Sequence, residues 1–286
     1  MDQTPTYLTT REVADLLRVK ERKVYDLAAE GEIPHRRITG KLLFPQEELR
    51  AWIEGAPEPP RDRPALLTGS HDPLLDWALR ASGASLGTLI CGSREGLERF
   101  QRAEAAVTGL HLRSGDAWNI PDVEALGTQD AVLIAWARRS RGLMLRKSLT
   151  GVDSLGDLKG RRLALRQEGS GTARLLDELM RAAGLVPQDF DEAPETARTE
   201  SDAAAAVAAG EADAALGLQS MASRFGLRFL PLLDETFDLL IDRRAYFTAP
   251  VQTLFSFCRT QAFQDKAITM GGYDTRTLGQ VRWLSP

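Results

Sequence analysis

A proline-rich segment divides the sequence and most limits how the chain can fold. Residues 55–64 read GAPEPPRDRP, with four prolines and no periodic pattern of apolar side chains. Proline fixes its own backbone angle and has no N–H to donate, so such a segment continues neither a helix nor a central strand. The sequence therefore predicts two separately folded parts, residues 1–54 and 65–286, joined by a stiff, extended linker of residues 55–64.

The first part carries the local signals of two short helices, a hairpin and a third helix, which is the order of a winged helix-turn-helix. Thr9 and Glu12 have the spacing of a capping box at the start of the first helix. The predicted elements are a first helix of about eight residues, a second helix over 21–30 that ends at Gly31, a hairpin over 35–44 that turns at Thr39-Gly40, and a third helix opened by Pro45. The side chains predicted to face inward are Val13, Leu16, Leu17, Val24, Leu27, Ala28, Leu49, Trp52 and Ile53.

The distribution of charge favours local rather than bulk contact with nucleic acid. The whole chain of 286 residues has a formal net charge of −4, which excludes a protein that coats nucleic acid by charge alone. Residues 18–41, by contrast, hold seven basic and four acidic side chains and have a local charge of +3. Such a basic surface is typical of contact with DNA phosphates, although Glu21 and Asp26 interrupt it and a solvated helix face is the alternative.

Residues 8–53, LTTREVADLLRVKERKVYDLAAEGEIPHRRITGKLLFPQEELRAWI, resemble the excisionase-type winged helix-turn-helix domains, which are distant relatives of the MerR regulators. In that family the second helix enters the major groove and the hairpin, or wing, contacts the DNA backbone or the minor groove. A DNA-binding domain of this size contacts few bases, so we expect a homodimer on an operator with two half-sites. With Arg18 from the basic stretch, the predicted DNA-binding residues are Arg18, Lys20, Arg22, Lys23, Tyr25, Arg36, Arg37 and Lys41.

From residue 63 onward, short apolar segments alternate with amphipathic segments, which predicts an open α/β fold with largely parallel strands. Ligands of such folds bind at the carboxyl ends of strands, where helix N-termini point. The predicted strands are 86–91, 131–136, 142–146, 161–166, 212–216, 227–230 and 237–241, and the predicted helices are 73–81, 94–106, 171–183, 202–209 and 251–266.

Three predicted strand-to-helix loops, residues 68–73, 92–96 and 166–172, carry serine and glycine. Each places a serine at or next to a helix start, where free N–H groups and the positive end of the helix dipole attract an anion. Simple N-capping explains any one of these loops. Three of them together, with an arginine in the third, favour a site for an oxyanion that keeps its charge without a metal.

The second part also resembles a known family, in segments such as HDPLLDWAL, GSREGLERF, WNIPDVEALG and LRQEGSGTARLLDELMRAAGL. They look like the periplasmic-binding-protein-like domain found in cytoplasmic regulators and fused to some molybdopterin-biosynthesis enzymes, which is similar in turn to the molybdate- and tungstate-binding proteins of ABC importers. Gln167 and Glu168 replace a Gly-Asp pair of the importers, which leaves the identity of the anion open. The predicted ligand-binding residues are Ser70, His71, Ser93, Arg166, Gln167, Ser170, Gly171 and Thr172.

That resemblance implies a two-lobed type II binding-protein fold, in which two crossing strands join the lobes and the ligand lies in the cleft. We place the crossings near 142–147 and 237–242 and the second lobe at about 152–222. The loops with Ser70 and Ser93 then belong to one lobe, and those with Arg166 and Ser170 to the other. A ligand that contacts both lobes favours the closed form, which is the physical requirement for a switch.

No set of residues in the sequence forms a catalytic or metal-binding motif. The three histidines, at 35, 71 and 111, belong to no HExxH or Cys/His motif, and no GxSxG sequence is present, so we predict no enzyme, no metal and no cofactor. Cys91 and Cys258 lack the spacing of a disulfide framework or a zinc site. Without a secretory signal or a run of about 18 apolar residues, the expected location is the cytoplasm and no membrane contact is expected.

The leading hypothesis is a one-component transcriptional regulator that binds an operator in double-stranded DNA and senses a small oxyanion, molybdate or tungstate. One alternative keeps this architecture but senses a molybdenum-cofactor precursor or another small organic anion. An alternative of another class is an excisionase-like accessory protein that bends DNA. An enzyme of cofactor biosynthesis is the most remote reading.

Overall fold

The computed structural model describes residues 7–54 and 63–286, and the chain forms two compact units, residues 1–61 and 62–286. Residues 55–62 of the predicted linker lie outside the described residues. No helix in the described ranges is long and apolar enough to cross a membrane. The boundary between the units thus falls within the proline-rich segment.

Two short helices, α1 (Thr10–Leu17) and α2 (Glu21–Ala29), form a helix-turn-helix in the first unit. The predicted capping box is present: Thr9 Oγ1 accepts a hydrogen bond from Glu12 N–H at 3.4 Å, and Glu12 Oε2 accepts one from Thr9 N–H at 2.7 Å. Arg18 has a left-handed φ of 54°, which turns the chain sharply between the two helices.

A small antiparallel sheet and a third helix complete the described part of the first unit. The predicted wing is the hairpin of β2 (Arg36–Ile38) and β3 (Lys41–Pro45), with positive φ at both Thr39 and Gly40 as a two-residue turn requires. The other edge of β3 pairs with β1 (Tyr7–Thr9), a strand that the sequence did not predict. The third helix, α3, is Gln46–Glu54.

Three details of the prediction for this unit are wrong. Pro45 is the last residue of β3, opposite Tyr7, and α3 begins one residue later. Leu16 is 56% exposed and Ile53 is 38% exposed, because the narrow buried face of each helix is filled by neighbours one turn away. The buried core of the unit consists of Val13, Ala14, Val24, Ala28, Ile33, Leu42, Phe44 and Leu49.

A mixed sheet of ten strands among the described residues runs through the second unit. The strands of this unit are β4 (Leu66–Gly69), β5 (Gly87–Ile90), β6 (Val107–Leu110), β7 (Arg113–Ser114), β8 (Ala117–Trp118), β9 (Ala131–Leu145), β10 (Arg162–Leu163), β11 (Asp191–Glu192), β12 (Ala214–Leu218), β13 (Arg228–Asp242), β14 (Tyr273–Asp274) and β15 (Val281–Leu284). The main sheet has the order β11-β10-β12-β9-β13-β6-β4-β5, with β14 and β15 also paired to β9, while β7 and β8 form a separate hairpin.

Two of these strands are much longer than the sequence predicted. β9 and β13 each contain 15 residues, where we predicted two separate strands in each case. They pair antiparallel along their whole length, so the expectation of largely parallel strands holds only within the two ends of the sheet. The pairs β4–β5, β4–β6, β10–β11 and β10–β12 are parallel.

Helices cover the sheet, and capping side chains mark several of their starts. Asp72 caps the first helix of this unit by accepting a hydrogen bond from Leu75 N–H at 2.7 Å. The predicted helix 94–106 ends at residue 101 because Ala103 has a φ of 58°, and the predicted helix 251–266 is two helices, with Thr260 capping the second. The helices are α4 (Pro73–Ser82), α5 (Ser93–Gln101), α6 (Ile120–Ala125), α7 (Gly171–Ala182), α8 (Glu200–Ala209), α9 (Gln219–Arg224), α10 (Arg243–Tyr246), α11 (Ala249–Cys258) and α12 (Gln261–Met270).

The second unit has two lobes, and β9 and β13 run through both. Residues 131–137 of β9 and 237–241 of β13 pack into apolar cores with α4, α5 and α11, which form the first lobe. Residues 143–145 of β9 pack into other cores with α7, α8 and β12, which form the second lobe. Gly142 pairs with Pro231, and Phe237 with Ala137, so the predicted crossings at 142–147 and 237–242 lie in different lobes. The strands cross instead at residues 138–141 and 233–236, which pair with each other.

Candidate DNA-binding surface and interlobe site

The predicted DNA-reading helix presents its polar side chains to solvent. Lys20 is the N-cap of α2, and Arg22, Lys23 and Tyr25 follow on its first two turns; all four are exposed, Tyr25 by 51%. Val24 and Ala28, on the other face, are buried in the core. A nine-residue helix is about 13 Å long, and the major groove of B-DNA is wide enough to admit it.

The wing carries the remaining basic residues of the predicted set. Arg36 and Arg37 lie on β2 and Lys41 begins β3, and all three side chains are exposed. Arg36 donates to Glu48 Oε1 at 2.7 Å, which ties the wing to α3. The other basic side chains of the set, Arg18 included, form no ion pair with a described residue.

Two predicted anion-binding serines meet in the first lobe. Ser70 follows β4 and Ser93 begins α5, and their hydroxyl oxygens lie 2.7 Å apart in a hydrogen bond. Ser93 Oγ also accepts a hydrogen bond from His111 N–H at 3.2 Å, and both serines are buried. The loops after β4 and β5 therefore converge at one place, as the fold requires of a ligand site at the carboxyl ends of strands.

The third predicted loop lies against this place from the second lobe. Ser170 caps α7 by accepting a hydrogen bond from Ala173 N–H at 3.1 Å. A Cβ atom on Gly92 would lie 3.4 Å from Ser170 Cα, and one on Gly171 would lie 2.8 Å from the ring of His111. The loops of the two lobes are thus in contact across the cleft, and Gly171 is required there because no side chain fits.

Arg166 and Gln167 are directed into their own lobe. The three guanidinium nitrogens of Arg166 donate to the carbonyl oxygens of Ala197 and Arg198, at 3.2 and 2.8 Å, and to Glu200 Oε1 at 2.9 Å. The amide nitrogen of Gln167, in the orientation that satisfies it, donates to the same two carbonyl oxygens. Glu200 was not among the predicted site residues. It is the first residue of α8.

Glu200 supplies a carboxylate where we expected a bound oxyanion. Its Oε1 accepts hydrogen bonds from Arg141 Nη2 at 3.0 Å and Thr172 Oγ1 at 3.1 Å in addition to Arg166. Its Oε2 is buried and has no hydrogen-bond partner among the described residues. Burial raises the pKa of Glu200, but the charges of Arg141 and Arg166 outweigh that effect and lower it to about 2.

The pair of Arg166 and Glu200 is one end of a buried chain of charges that links the lobes at the strand crossing. Arg141 Nε donates to Glu235 Oε2 at 2.6 Å, and Arg139 contacts Glu235 on one side and donates to Asp72 Oδ2 at 2.8 Å on the other. His111 Nδ1 lies 3.0 Å from Glu235 Oε2, and burial lowers the pKa of His111 although the charge of Glu235 opposes the shift. Three carboxylates alternate with three guanidinium groups, so this buried chain of charges has no net charge when His111 is neutral. Its members, in order, are Asp72, Arg139, Glu235, Arg141, Glu200 and Arg166.

Beside this chain, a cavity of about 490 Å³ opens between the lobes. The predicted site residue His71 lies on its wall, and burial lowers the pKa of His71 although the charge of Glu200 opposes the shift. A smaller opening of about 180 Å³ lies at Ser170, with Arg94 and Arg174 on its rim. Within residues 7–54 and 63–286, no group of three or more His, Cys, Asp and Glu side chains is arranged to hold a metal ion.

Comparisons with known proteins identify both units. A family model described as a helix-turn-helix domain matches residues 7–57, and one described as a PBP superfamily domain matches residues 77–259. Over 307 aligned positions the chain is 26% identical to the uncharacterized protein YvgK of Bacillus subtilis (strain 168), covering 98% of this chain and 99% of that protein.

Solved structures show the same two-lobed fold. A putative phosphate ABC transporter substrate-binding protein with bound phosphate from Clostridium perfringens has a TM-score of 0.52 at 12% identity, covering 76% of this chain and 99% of that one. The regulatory domain of CcmR from Synechocystis, in complex with 2-PG, has a TM-score of 0.50 at 12% identity, covering 69% of this chain and 95% of that one. At such identity these likenesses establish the fold alone. The family match covers more than half of the sequence, so the chain belongs to the PBP superfamily and carries a helix-turn-helix domain at its N-terminal end.

Proposed function

We propose that this protein is a ligand-responsive, DNA-binding transcriptional regulator whose effector is a small anion bound between the lobes of the second unit. The observation that carries the proposal is the union, in one chain, of a helix-turn-helix whose second helix exposes Arg22 and Lys23 with a two-lobed domain whose serine loops meet across a cleft. A ligand that binds both lobes has differential affinity for the closed form, and that difference is what a switch requires.

For DNA binding, we propose an excisionase-type reader that acts as a homodimer on two half-sites. Exposed Lys20 at the N-cap of α2, with Arg22 and Lys23 on the helix, supports insertion of α2 into the major groove. Arg37 and Lys41 support phosphate contact by the wing. One helix of nine residues reaches only a few base pairs, so a second copy supplies the rest of the specificity.

The DNA proposal is tested by fluorescence anisotropy with genomic fragments over a range of salt. Lys23→Ala should weaken binding on all sequences and reduce the slope of log affinity against log salt by about one unit, because one phosphate contact is lost. Arg50→Ala is the matched control, since Arg50 is also exposed but lies on α3 beside Glu54. Equal loss of affinity in both variants contradicts the assignment of α2.

For the effector, we propose an oxyanion, with molybdate and tungstate as the first candidates from the resemblance of the RQEGSGT loop. The hydroxyl groups of Ser70 and Ser93 and the N-terminal N–H groups of α5 and α7 are the donors that support it. Arg166 takes the role of holding Glu200 and the loop at Ala197, rather than that of a free cation.

The effector proposal is tested by the thermal shift of the full chain with molybdate, tungstate, phosphate and sulfate. We expect a shift with molybdate or tungstate that is lost in Ser93→Ala and retained in Ser256→Ala, because Ser256 is exposed on α11. No shift with either anion at millimolar concentration overturns the oxyanion. Loss of the shift in both variants overturns the assignment to the serine loops.

A further inference from the structure

The interlobe cavity of about 490 Å³ has a lining unlike that of the serine loops. Its first-lobe wall comes from α4 and α12, and its second-lobe wall comes from α9 and the start of α8. The volume lies within the range of sites for small organic molecules, roughly 300–1,000 Å³. A tetrahedral inorganic oxyanion would occupy only a small part of it.

One part of the wall is apolar and adaptable. Trp77 and Met270 line the cavity and are partly exposed, and Met221 is buried behind this wall. The ring of Trp77 is supported by Phe257, with 5.4 Å between ring centroids. Methionine side chains adjust to irregular ligand shapes, and an indole ring offers a flat apolar surface. An organic ligand can pack its carbon atoms against this wall, whereas an inorganic ion has no apolar surface to place there.

The rim of the cavity is cationic. Arg80, Arg224 and Lys266 line it together with one acid, Asp76. Asp76 is paired with Arg80 at 2.6 Å, whereas Arg224 and Lys266 form no ion pair with a described residue. Lys266 Nζ lies 5.5 Å from the ring centroid of Trp77, so a cation and the apolar wall adjoin. Two unpaired cations beside an apolar surface fit the acidic group of an organic anion.

Polar atoms complete the lining. His71 Nδ1 is buried and finds no hydrogen-bond partner among the described residues, and the hydroxyl group of Ser220, which lies next to that of Tyr273, also lines the cavity. Buried polar groups without partners are uncommon in folded proteins and call for an explanation, and a ligand hydroxyl or amino group supplies one. These atoms come from different lobes, since His71 follows β4 and Ser220 lies on α9.

We propose that this cavity binds an organic anion that has one acidic group, a flat or apolar carbon body and a hydroxyl or amino group. The acidic group lies between Arg224 and Lys266, the body lies against Trp77 and Met270, and the polar group reaches His71 and Ser220. The inference rests on the proposed interlobe sensing but not on the serine-loop oxyanion or on DNA binding. Contacts with both lobes make such a ligand a closing effector.

The test is isothermal titration of the full chain with benzoate, 3-hydroxybenzoate and benzenesulfonate as probes, and with uncharged benzamide as the matched neutral control. We expect the anionic probes to bind and benzamide to fail, with 3-hydroxybenzoate binding more tightly than benzoate. Arg224→Ala/Lys266→Ala should weaken the anionic probes by about 100-fold, because two charge-assisted hydrogen bonds are lost. The control Lys147→Ala/Arg259→Ala removes two exposed positive charges outside the cavity and should bind as the parent does.

A second variant provides an independent test in case the double mutant does not fold. Ser223 lines the cavity and is exposed, so Ser223→Trp should block the cavity without disturbing a core. Binding of benzamide as tight as that of benzoate overturns the proposal, as does retained binding in Ser223→Trp. If molybdate binds and none of the three anionic probes does, the organic anion is overturned while the oxyanion regulator stands. If the anionic probes bind and molybdate does not, the inorganic oxyanion is overturned while the organic anion stands.

Discussion

Replacing Glu200 by glutamine tests the buried chain of charges with little change in shape. Glu200 Oε1 accepts all three of the hydrogen bonds at this residue, and Oε2 has no partner in the described structure. Glutamine can place its amide oxygen at the position of Oε1 and its NH₂ group at the position of Oε2. Glu200→Gln therefore removes the charge while the hydrogen bonds are preserved.

The expected magnitude follows from two independent arguments. The pKa of Glu200 is lowered from 4.5 to about 2, and a shift of that size corresponds to about 3 kcal/mol of folding free energy. Removing one partner of a buried ion pair costs about 3–5 kcal/mol, because the charges left behind are uncompensated. Here those charges are Arg141 and Arg166, whose side chains are at most 4% exposed. We expect Glu200→Gln to lower the free energy of unfolding by about 3 kcal/mol at pH 7.5.

The pH dependence has a definite sign. A carboxyl group with a lowered pKa in the folded state stabilises the protein above its unfolded pKa, and that stability is lost as the pH falls through the folded value. The difference between parent and variant should therefore be constant from pH 7.5 to about 5 and shrink between about pH 4.5 and 2.

Urea denaturation followed by tryptophan fluorescence measures this difference, because four of the five tryptophans lie in the second unit. Glu211→Gln is the matched control: Glu211 follows α8 and is exposed, so its change should be within about 0.5 kcal/mol of zero. A loss below about 1 kcal/mol in Glu200→Gln at pH 7.5, or a difference that grows on acidification, would refute the reasoning.

Three further predictions concern other parts of the chain. Thr9→Ala should destabilise α1 by about 1 kcal/mol through loss of the capping box, seen as faster amide exchange in α1 and unchanged exchange in α7. Gly171→Ala should cost about 1–3 kcal/mol in thermal unfolding because its Cβ would lie 2.8 Å from the His111 ring, whereas Gly156→Ala, with 3.6 Å to Ser154 Oγ, should be nearly neutral. Light scattering should give twice the chain mass of 31.4 kDa, and a monomer both free and on DNA would contradict the dimer.

The helix-turn-helix was accessible from sequence because its signals are local. Thr9 and Glu12 are three residues apart, Thr39 and Gly40 are adjacent, and Gly31, with a φ of 72°, lies two residues after the end of α2. Capping boxes, tight turns and helix ends depend only on neighbours in the chain. Those features are present in the structure at the predicted positions, and the errors at Leu16 and Pro45 concern only neighbouring residues.

The interior of the second unit was not accessible because its contacts are distant in sequence. Residues 138–141 read RRSR, which is typical of an exposed connection, and the prediction broke β9 at this place. Arg139 and Arg141 remain in a buried strand only because Asp72, Glu200 and Glu235 reach them, and these partners are 59 to 96 residues away. No local pattern marks an arginine that will be neutralised by such remote carboxylates.

The neutrality of the buried chain of charges bears on which anion the proposed site would accept. Glu200 already supplies a negative charge to Arg166, so a dianion placed against Arg166 would leave a buried excess of negative charge. Burying uncompensated charge is costly in a medium of low permittivity. An anion is better accommodated where cations lack partners, and Arg224 and Lys266 on the rim of the 490 Å³ cavity meet that condition. An inorganic oxyanion at the serine loops must then rely on hydroxyl and N–H dipoles alone, whereas an organic anion in the cavity lies beside the cations of its rim. The charge balance of the six buried side chains thus favours the organic anion over the inorganic oxyanion. Glu200→Gln removes one negative charge and should shift the preference toward the inorganic oxyanion.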